Sequence, residues 1–462
     1  MKPKYFLALG LLVLGLGSCG ESFFEQYPSN NITEGNFYKT DDDFNQGVVA
    51  CYAKLKTQMS FHLTEIGYRG DENVLESMAV STQNRYDIDH FAETANNGIL
   101  NDIWNAWYNG IYRCNDVLDH MTGAKIANYD KYRGECLFLR SWWYFNLYRV
   151  FGVVPITRTV VTPAAAKLIP RCTEEEMYTL LTEDLAEAAR LLPPTPGPEK
   201  ARVANIAAYT LLAKVYLTFG KPAEAKTALE EAMKNTSYGL ESTTKKVFDV
   251  GNKMNREIIF ALYYNKTNDN GHGYWYSANT DVLADINNPT PTFKAIYDSE
   301  KDNRLPLISS YTKIKDNLFA MTKWYDTYDA TYTTQVGNDF PHLRYADVVL
   351  MYAEALAESG GSLGDALEWL NKTRTRAGLD ELTTDEVKSL AEFRRELAAE
   401  RGREFALEGH RWFDLVRLGL AVDYFRGLGY SLDAHNLIFP IPQSQIEIVN
   451  NPSILWQNPG FN

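Results

Sequence analysis

The densest group of chemically capable side chains lies near the C-terminus, between Ser389 and Gly419. Steps of four residues place Arg401 on one helical stripe with Phe393 and Phe405, so a guanidinium faces an otherwise apolar surface. That run also supplies carboxylates and further guanidinium groups, namely Glu400, Glu404, Glu408, Asp414, Arg395, Arg403 and Arg411. Clustered carboxylates could act as a catalytic acid and base, but ion-pair networks that lock a helix into a core are far commoner. We therefore predict a structural network with Arg401 paired inside the apolar stripe.

A second group with chemical capacity is aromatic and lies in polar sequence between residues 239 and 341. Tyr274, Trp275 and Tyr276 follow a glycine turn, and Trp324 and Tyr325 form another group. No apolar stripe accompanies these rings. They are therefore candidates for exposed faces on which a sugar stacks while polar neighbours bind its hydroxyls. The alternative, that the rings cover the helical body as a satellite core, stays open for each of them.

Sequence motifs of catalytic and metal sites are missing. The chain lacks G-x-S-x-G, H-E-x-x-H and a phosphate-cradling loop, and it has neither a C-x-x-C pair nor a His cluster at zinc spacing. Cys51, Cys114, Cys136 and Cys172 could pair in an exported protein, but Cys114 and Cys136 lie in apolar helical sequence, which favours buried thiols. We predict a binding protein that is not an enzyme and that needs neither metal nor cofactor.

Composition further narrows the class of protein. The chain has 462 residues with ordinary hydrophobic and charged content, which is typical of a folded, soluble body. The formal net charge is −13, and no Lys/Arg cluster is interleaved with aromatic residues, which argues against nucleic-acid binding.

The N-terminal residues predict export and lipidation. Lys2 and Lys4 precede an apolar run over 5–16 that is too short to span a membrane, which is typical of a cleaved signal peptide. Leu16-Gly17-Ser18-Cys19 then matches the bacterial lipobox, so we expect removal of residues 1–18 and acylation of Cys19. The alternative is an ordinary signal peptide with a chance cysteine.

Helical periodicity dominates the rest of the chain. Residues 212–225 and 352–366 both read as helix, glycine turn and helix with small Ala contacts, which is the tetratricopeptide pattern; the alternative is two unrelated α-hairpins. A hairpin leaves one face bare, so a stack is expected. The predicted pairs are 42–59 with 99–121, 129–151 with 174–192, 203–219 with 222–235, and 344–359 with 363–377. The predicted fold class is mainly α, a tetratricopeptide-like helical hairpin stack with a loop-rich, irregular half.

Less regular sequence separates the helical parts. Residues 61–98 are polar and irregular, which marks them as a functional loop region. The predicted division is a signal peptide over 1–18, a lipidated tether over 19–41, helical hairpins over 42–235, a ligand-binding insertion over 236–341, and a last hairpin with the charged helix over 342–462.

Several stretches occur in the order found in one family of outer-membrane lipoproteins. They are Asn36-Phe-Tyr-Lys-Thr40, Ile111-Tyr-Arg-Cys-Asn115, Arg133 to Phe145, Glu257-Ile-Ile-Phe260, Arg344 to Glu354, Glu400-Arg-Gly-Arg-Glu404, Arg411-Trp-Phe-Asp-Leu-Val-Arg417, Phe439-Pro-Ile-Pro442 and Asn458-Pro-Gly460. On these residues the chain resembles the SusD/RagB family of nutrient-binding lipoproteins over nearly its whole mature length.

The resemblance implies a right-handed stack of tetratricopeptide-like hairpins carrying a loop-rich ligand-binding half. It further implies a lipid-anchored protein on the outer membrane of a Gram-negative, Bacteroidetes-type bacterium. Such a protein captures oligosaccharides for a SusC-like TonB-dependent transporter. The family's pocket draws on the loop after the first helix, where Asp71 is the matching polar residue and Arg85 and Asn97 are further candidates.

Three other functions stay open. Some members of the family serve peptide uptake, so the ligand could be a peptide. A tetratricopeptide scaffold would bind only protein and no small ligand. An enzyme would have to cleave a polysaccharide, and the sequence offers it no catalytic constellation.

Overall fold

The structure, a computed structural model, describes residues 37–72, 83–197, 199–265, 277–279, 289–315, 318–326 and 337–461. The predicted signal peptide, Cys19 and the group from Tyr274 to Tyr276 lie outside these ranges. Every helix within them is too short or too polar to cross a membrane. The chain divides into a short compact unit that ends at Gln46 and a large one that begins at Gly47.

Helices make up most of the described chain. They are α1 (Asp41–Gly67), α2 (Gln83–Asp89), α3 (Gly98–His120), α4 (Tyr129–Phe151), α5 (Pro163–Ala166), α6 (Glu174–Leu191), α7 (Asn205–Thr218), α8 (Pro222–Met233), α9 (Thr244–Val247), α10 (Pro291–Lys294), α11 (Leu305–Ser309), α12 (Tyr345–Glu358), α13 (Leu363–Arg376), α14 (Leu390–Glu404), α15 (Arg411–Arg417), α16 (Ala421–Gly427) and α17 (Gln443–Val449). Short 3₁₀ turns cover Val250–Asn252, Thr322–Trp324 and Ala434–Leu437.

Local sequence sets where several of these helices begin and turn. Thr173 and Glu176 form a capping box at the start of α6, with reciprocal hydrogen bonds between side chains and backbone. Gly220 separates α7 from α8 with φ of 67°, and Gly360 follows α12 with φ of 83°. Both glycines take the left-handed conformation that ends a helix, so the predicted glycine turns of the two similar stretches are confirmed.

The long helices form a continuous stack in which α3 packs on α4, α4 on α6, α6 on α7, α7 on α8, α8 on α12, and α12 on α13. Three predicted hairpins, α4 with α6, α7 with α8 and α12 with α13, are thereby confirmed. The main partner of α3 is α4, and the first predicted pair, 42–59 with 99–121, stays a prediction.

Four buried cysteines lie within this body, and all four are free thiols. The Cys51 thiol, on α1, lies within hydrogen-bonding reach of the thiols of Cys114 and Cys136. The prediction of buried thiols at Cys114 and Cys136 is therefore confirmed.

Two small antiparallel sheets lie between the helical parts. Strand β1 (Ile258–Leu262) pairs with β5 (Phe340–Arg344), and both strands are buried. The other sheet has the order β2-β4-β3, formed by Ser277–Asn279, Leu318–Met321 and Tyr311–Lys315. The strand predicted near residues 257–263 is therefore confirmed as β1.

The charged C-terminal run forms α14 and α15 with a break between them, as predicted. The Ser389 side chain accepts a hydrogen bond from the Glu392 backbone N–H at 3.2 Å and so caps α14. Leu407 and Gly409, with φ of 62° and 75°, lie in the left-handed region where the chain turns. A Cβ on Gly409 would lie 3.3 Å from the Cβ of Leu63, so both the turn and the contact favour glycine.

Candidate ligand-binding site

Arg401 is fully buried and lies between two carboxylates. Its Nε donates to Oδ2 of Asp414 at 2.7 Å, and its Nη2 donates to Oδ1 of Asp347 at 2.8 Å. Burial alone would raise the pKa of Asp414, but Arg401 and Arg417 outweigh it and hold that pKa at about 2. The predicted pairing of Arg401 inside an apolar stripe is confirmed, and its role is structural.

A second buried network surrounds Arg344. This guanidinium donates to Glu257 at 2.8 Å, to Glu404 at 2.6 Å and to Glu408 at 2.8 Å. Arg304 donates to Glu404 from the other side at 2.9 Å. Burial opposes ionisation of Glu404, but the surrounding guanidinium groups hold its pKa well below the usual range. Each of the three carboxylates accepts hydrogen bonds from at least one buried guanidinium, so the network braces the fold.

Lys323 connects the Arg344 network to one of the predicted aromatic groups. Its Nζ donates to Oε1 of Glu408 at 2.8 Å and to the backbone carbonyl of Ala406 at 2.5 Å. Lys323 lies within the 3₁₀ turn Thr322–Trp324, so the break between α14 and α15 anchors this turn.

The prediction that Trp324 offers an exposed stacking face is wrong. The side chain is only 1% exposed, and its ring packs edge-on against Phe248 with 5.1 Å between centroids. The neighbouring Phe340 ring is tilted toward it at 6.2 Å. The physical reason is that the buried Lys323 anchor draws the turn inward, and the strand residue Phe340 completes an apolar pocket around the indole. Trp324 belongs to the satellite core.

Tyr325 lies at the base of the segment 327–336 and is half-buried. Its backbone carbonyl accepts a hydrogen bond from Nδ2 of Asn338 at 3.3 Å, and Oδ2 of Asp326 accepts one from the Gly337 backbone N–H at 2.9 Å. These two bonds tie the ends of the segment together. Part of the Tyr325 side chain stays exposed, so its contact with a ligand stays a prediction.

Strand β2 begins directly after the first aromatic group in the sequence, and β4 ends directly before the turn that holds Trp324. Ser277 directly follows Tyr276 in the chain and pairs with Ala320 of β4, the strand that leads into Trp324 and Tyr325. Tyr274, Trp275 and Tyr276 themselves lie outside the described residues. Their role as stacking faces stays a prediction.

Asp71 was predicted as a polar ligand contact, and the structure gives it another role. Its carboxylate is 5% exposed and accepts hydrogen bonds from Nε of Arg411 at 2.9 Å, from Nη2 of the same residue at 3.3 Å, and from the Tyr424 hydroxyl. Its backbone carbonyl accepts one from Thr290 at 2.8 Å. Both carboxylate oxygens are already engaged in a buried, bidentate pair, so the prediction of a direct contact is wrong. Asp71 instead fixes the loop after α1 to α15.

The Arg411 guanidinium reaches Asp71 past α14, and Gly402 makes that approach possible. A Cβ on Gly402 would lie 2.9 Å from Nη1 of Arg411 and 3.2 Å from Cδ1 of Ile296. Any other residue at this position would press on the guanidinium. Gly402 therefore keeps the pair in place.

Asn97 is also structural, which corrects its prediction as a ligand contact. Its Oδ1 accepts a hydrogen bond from the Ile99 backbone N–H at 3.0 Å and caps α3, while its Nδ2 donates to the Asn84 carbonyl at 2.9 Å. The residue is 3% exposed, so its amide is withdrawn from a ligand. Through Asn84 it holds α2 against the start of α3.

Arg85 lies on α2 and keeps part of its surface open. Its side chain is 24% exposed, and its Nε donates to Oε1 of Glu65 at 3.3 Å. Burial raises the pKa of Glu65 to about 7, against the lowering effect of Arg85. On the same helix, Tyr86 stacks on His90 with 3.8 Å between ring centroids. Arg85 stays a candidate ligand contact.

A polar cavity of about 500 Å³ opens directly after α2, at residues that the sequence analysis missed. Its lining combines rings with hydrogen-bonding groups: Phe91, Arg426, Gly429, Tyr430, Ser431, Leu432, Asp433, His435 and Asn436. Phe91 has φ of 56°, which is strained for a bulky residue, and its ring packs against Phe425 and Tyr430 at 5.2 and 5.5 Å. Rings flanked by polar groups are suited to sugars.

One of these missed residues carried a usable signal. Tyr430 follows Gly429 and precedes Ser431, so it is an aromatic residue in polar loop sequence, like those that were singled out. Phe91 gave no such signal, because a left-handed backbone conformation at a non-glycine residue leaves no mark in composition or periodicity.

Two family profiles match most of the chain. The profile described as "SusD family" matches residues 294–461, and the one described as "Starch-binding associating with outer membrane" matches residues 27–217. Among curated proteins, SusD-like protein P2 from Formosa agariphila is 26% identical, and the alignment covers 99% of this chain and 100% of that protein.

Solved structures show the same architecture. A SusD-like protein from Bacteroides fragilis superposes with a TM-score of 0.79 at 21% identity, covering 94% of this chain and 100% of that one. Surface glycan-binding protein A from Bacteroides thetaiotaomicron, solved in complex with laminarihexaose, gives a TM-score of 0.74 at 21% identity and covers 91% and 99%. These likenesses confirm the predicted fold class, a mainly α, tetratricopeptide-like hairpin stack.

Proposed function

Because the chain belongs to the SusD/RagB family, we propose that it is a surface lipoprotein that binds oligosaccharides and passes them to a SusC-like TonB-dependent transporter. The observation that carries this proposal is the match of residues 27–217 to the profile described as starch-binding and associated with the outer membrane. The laminarihexaose complex of a protein with this fold supports glycans as the ligand class.

The ligand surface that we propose lies on the loop-rich side of the molecule. Tyr274, Trp275 and Tyr276 would supply stacking faces, with Tyr325 on the neighbouring strand connection and Arg85 as a hydrogen-bond donor. The polar cavity after α2 would extend this surface with the rings of Phe91 and Tyr430 and their polar neighbours.

The proposed mechanism is binding without covalent chemistry. A glycan stacked on rings with few polar contacts is held weakly, and weak binding is sufficient beside a transporter because proximity raises the effective concentration of ligand. The helical stack would cover the transporter as a lid. Acylation of Cys19 in the outer membrane would hold the two partners together, consistent with the lipobox and with the matched profile.

Isothermal titration calorimetry on the mature chain tests the ligand class. The panel should hold soluble starch, laminarin and other glycans in one arm and mixed peptides in the other. Binding in the glycan arm with unaltered glycan recovered afterwards supports the proposal. Binding of peptides alone would show that the ligand is a peptide. No binding in either arm would favour a protein-binding scaffold, and recovery of shortened glycan would indicate an enzyme.

Substitution tests the assigned surface. Replacing Trp275 and Tyr276 together by Ala should weaken glycan binding by roughly thirtyfold, since a stacking anchor contributes on the order of 2 kcal/mol. Tyr112→Ala is the matched control, because Tyr112 is 50% exposed on α3 and is not one of the proposed contacts. Equal affinity of the double variant and the control would show that the surface is misplaced.

A further inference from the structure

A second cavity, of about 290 Å³, lies within the helical body. Its walls come from the end of α4, the end of α7, α15 and the residues before Phe439: Phe145, Tyr148, Arg149, Gly152, Lys214, Thr218, His410, Phe413, Asp414, Val416, Arg417, Leu437 and Ile438. It shares no lining residue with the polar cavity after α2. Its volume is at the lower end of the range for small-molecule pockets.

The carboxylates around this cavity already have cationic partners. Asp347 lies 2.5 Å from Nζ of Lys214 and 2.8 Å from Arg401. Asp414 pairs with Arg401 and also with Arg417 at 3.1 Å. One more carboxylate, that of Glu354 on α12, pairs with Arg417. These three carboxylates are therefore matched by three cations, namely Lys214, Arg401 and Arg417. Arg149, which also lines the cavity, is a fourth cation.

Arg149 is the cation left over. In the part of the chain that the structure describes, no carboxylate lies within ion-pair distance of it, and its Nη2 donates only to Oδ1 of Asn146. Its Nε has no hydrogen-bond partner there. The guanidinium lies over the Phe413 ring, 3.9 Å from the centroid, and 4.7 Å from that of Phe145.

The neighbouring imidazoles do not alter this balance. Burial lowers the pKa of His342 to about 3 and that of His410 well below its usual range, so both rings are uncharged at neutral pH. Burial also lowers the pKa of Arg149 to about 9, which leaves it charged. A partly buried cation without a counter-charge is costly, and an anion in the cavity would remove that cost.

We propose that this cavity binds a small organic carboxylate. Its carboxylate group pairs with Arg149, and its apolar body packs against Phe413, Leu437 and Ile438. The planar guanidinium on an aromatic face is already oriented for such a pair. This binding site is separate from the proposed glycan surface and does not depend on it.

The test uses the mature chain, with benzoate as the probe and benzamide as its neutral isostere. Calorimetry at constant ionic strength should give benzoate at least about a tenfold higher affinity than benzamide, since a hydrogen bond to a charged group contributes roughly 1.5 to 3 kcal/mol. Arg149→Met should lower benzoate affinity by a similar factor. The matched control is Arg158→Met, because Arg158 is 45% exposed and pairs with Glu183 at the surface.

A second variant keeps the test decisive if Arg149→Met does not fold. Val416→Phe narrows the cavity and leaves every charge in place, so it should lower benzoate affinity. The proposal is overturned if the parent protein does not bind benzoate, if either cavity variant binds it as the parent does, or if Arg158→Met loses binding equally. Sulfate binding as tight as that of benzoate would also overturn it, because the apolar walls would then contribute nothing.

Discussion

Arg401→Met removes the central cation of the network between α14, α15 and α12 while keeping an apolar side chain of similar length. In the parent protein this guanidinium is 0% exposed and donates to Asp347 and Asp414 at 2.8 and 2.7 Å. The variant therefore leaves two buried carboxylates with one cation fewer each. Lys214 still pairs with the first carboxylate and Arg417 with the second.

The expected loss is about 3 kcal/mol in the free energy of unfolding. Breaking a buried pair by removing one partner costs about 3 to 5 kcal/mol, because the other charge stays buried without compensation. The remaining pairs of Asp347 and Asp414 place the value near the lower end of that range. Arg158→Met is the control: it breaks the pair with Glu183, whose side chains are 45% and 59% exposed, and a 4.0 Å contact with Asp184, which keeps its pair with Arg140. It should change stability by at most about 1 kcal/mol.

Chemical denaturation followed by tryptophan fluorescence measures the difference, and its pH dependence checks the cause. The pKa of Asp414 is lowered to about 2 from an ordinary 3.8, so its stabilising pair is fully formed above pH 3.8 and is lost as the pH falls toward 2. The difference in the free energy of unfolding between parent and variant should therefore decrease as the pH falls from 3.8 toward 2. Equal losses for Arg401→Met and Arg158→Met would refute the reasoning. So would a folded Arg401→Met protein that no longer binds glycan.

Five further substitutions follow from the same structure. Burial raises the pKa of Glu72 to about 8, so ionisation of this carboxyl opposes folding. Glu72→Gln should therefore become more stable relative to the parent as the pH rises from about 4.5 to 8, which thermal melts of both proteins at pH 5 and pH 8 would measure. Trp324→Ala should cost about 3 to 5 kcal/mol because it empties a buried pocket, whereas Tyr325→Ala should leave the melting temperature unchanged and weaken glycan binding. Asn97→Ala should cost about 1 kcal/mol through the lost cap, with glycan affinity reduced less than by Tyr325→Ala. Arg411→Lys should weaken glycan affinity and also lower the melting temperature, because lysine keeps the charge but cannot form the buried bidentate pair with Asp71; unchanged affinity in calorimetry would contradict that role.

Features that follow from local pattern were predicted well. Arg401 on an apolar stripe required a buried carboxylate, and the structure supplies two. The glycine turns at Gly220 and Gly360 set the two similar hairpins, because helix periodicity and a left-handed turn are both readable over a few residues.

The candidate site was harder to predict because its roles depend on partners far along the chain. Asp71 is polar and lies in a loop, which favoured a ligand contact, yet Arg411 engages its carboxylate from α15. Trp324 sits among polar residues, but Phe248 and Phe340, from two distant segments, enclose its ring. Loop sequence therefore indicates which residues are polar or aromatic and leaves open whether they face solvent.

The two faces of the α14–α15 element serve different halves of the protein. Arg401 and Asp414 face the stacked helices through Asp347, so their ion pairs hold the hairpins together. Glu408 and Arg411 instead hold Lys323 and Asp71, which carry the turn before Tyr325 and the loop after α1. Tyr325 and the loop after α1 belong to or adjoin the surface that we propose for glycans, so the charged element would connect the scaffold to that surface. Substitution of Arg401 should consequently lower stability alone, whereas substitution of Arg411 should lower both stability and glycan affinity.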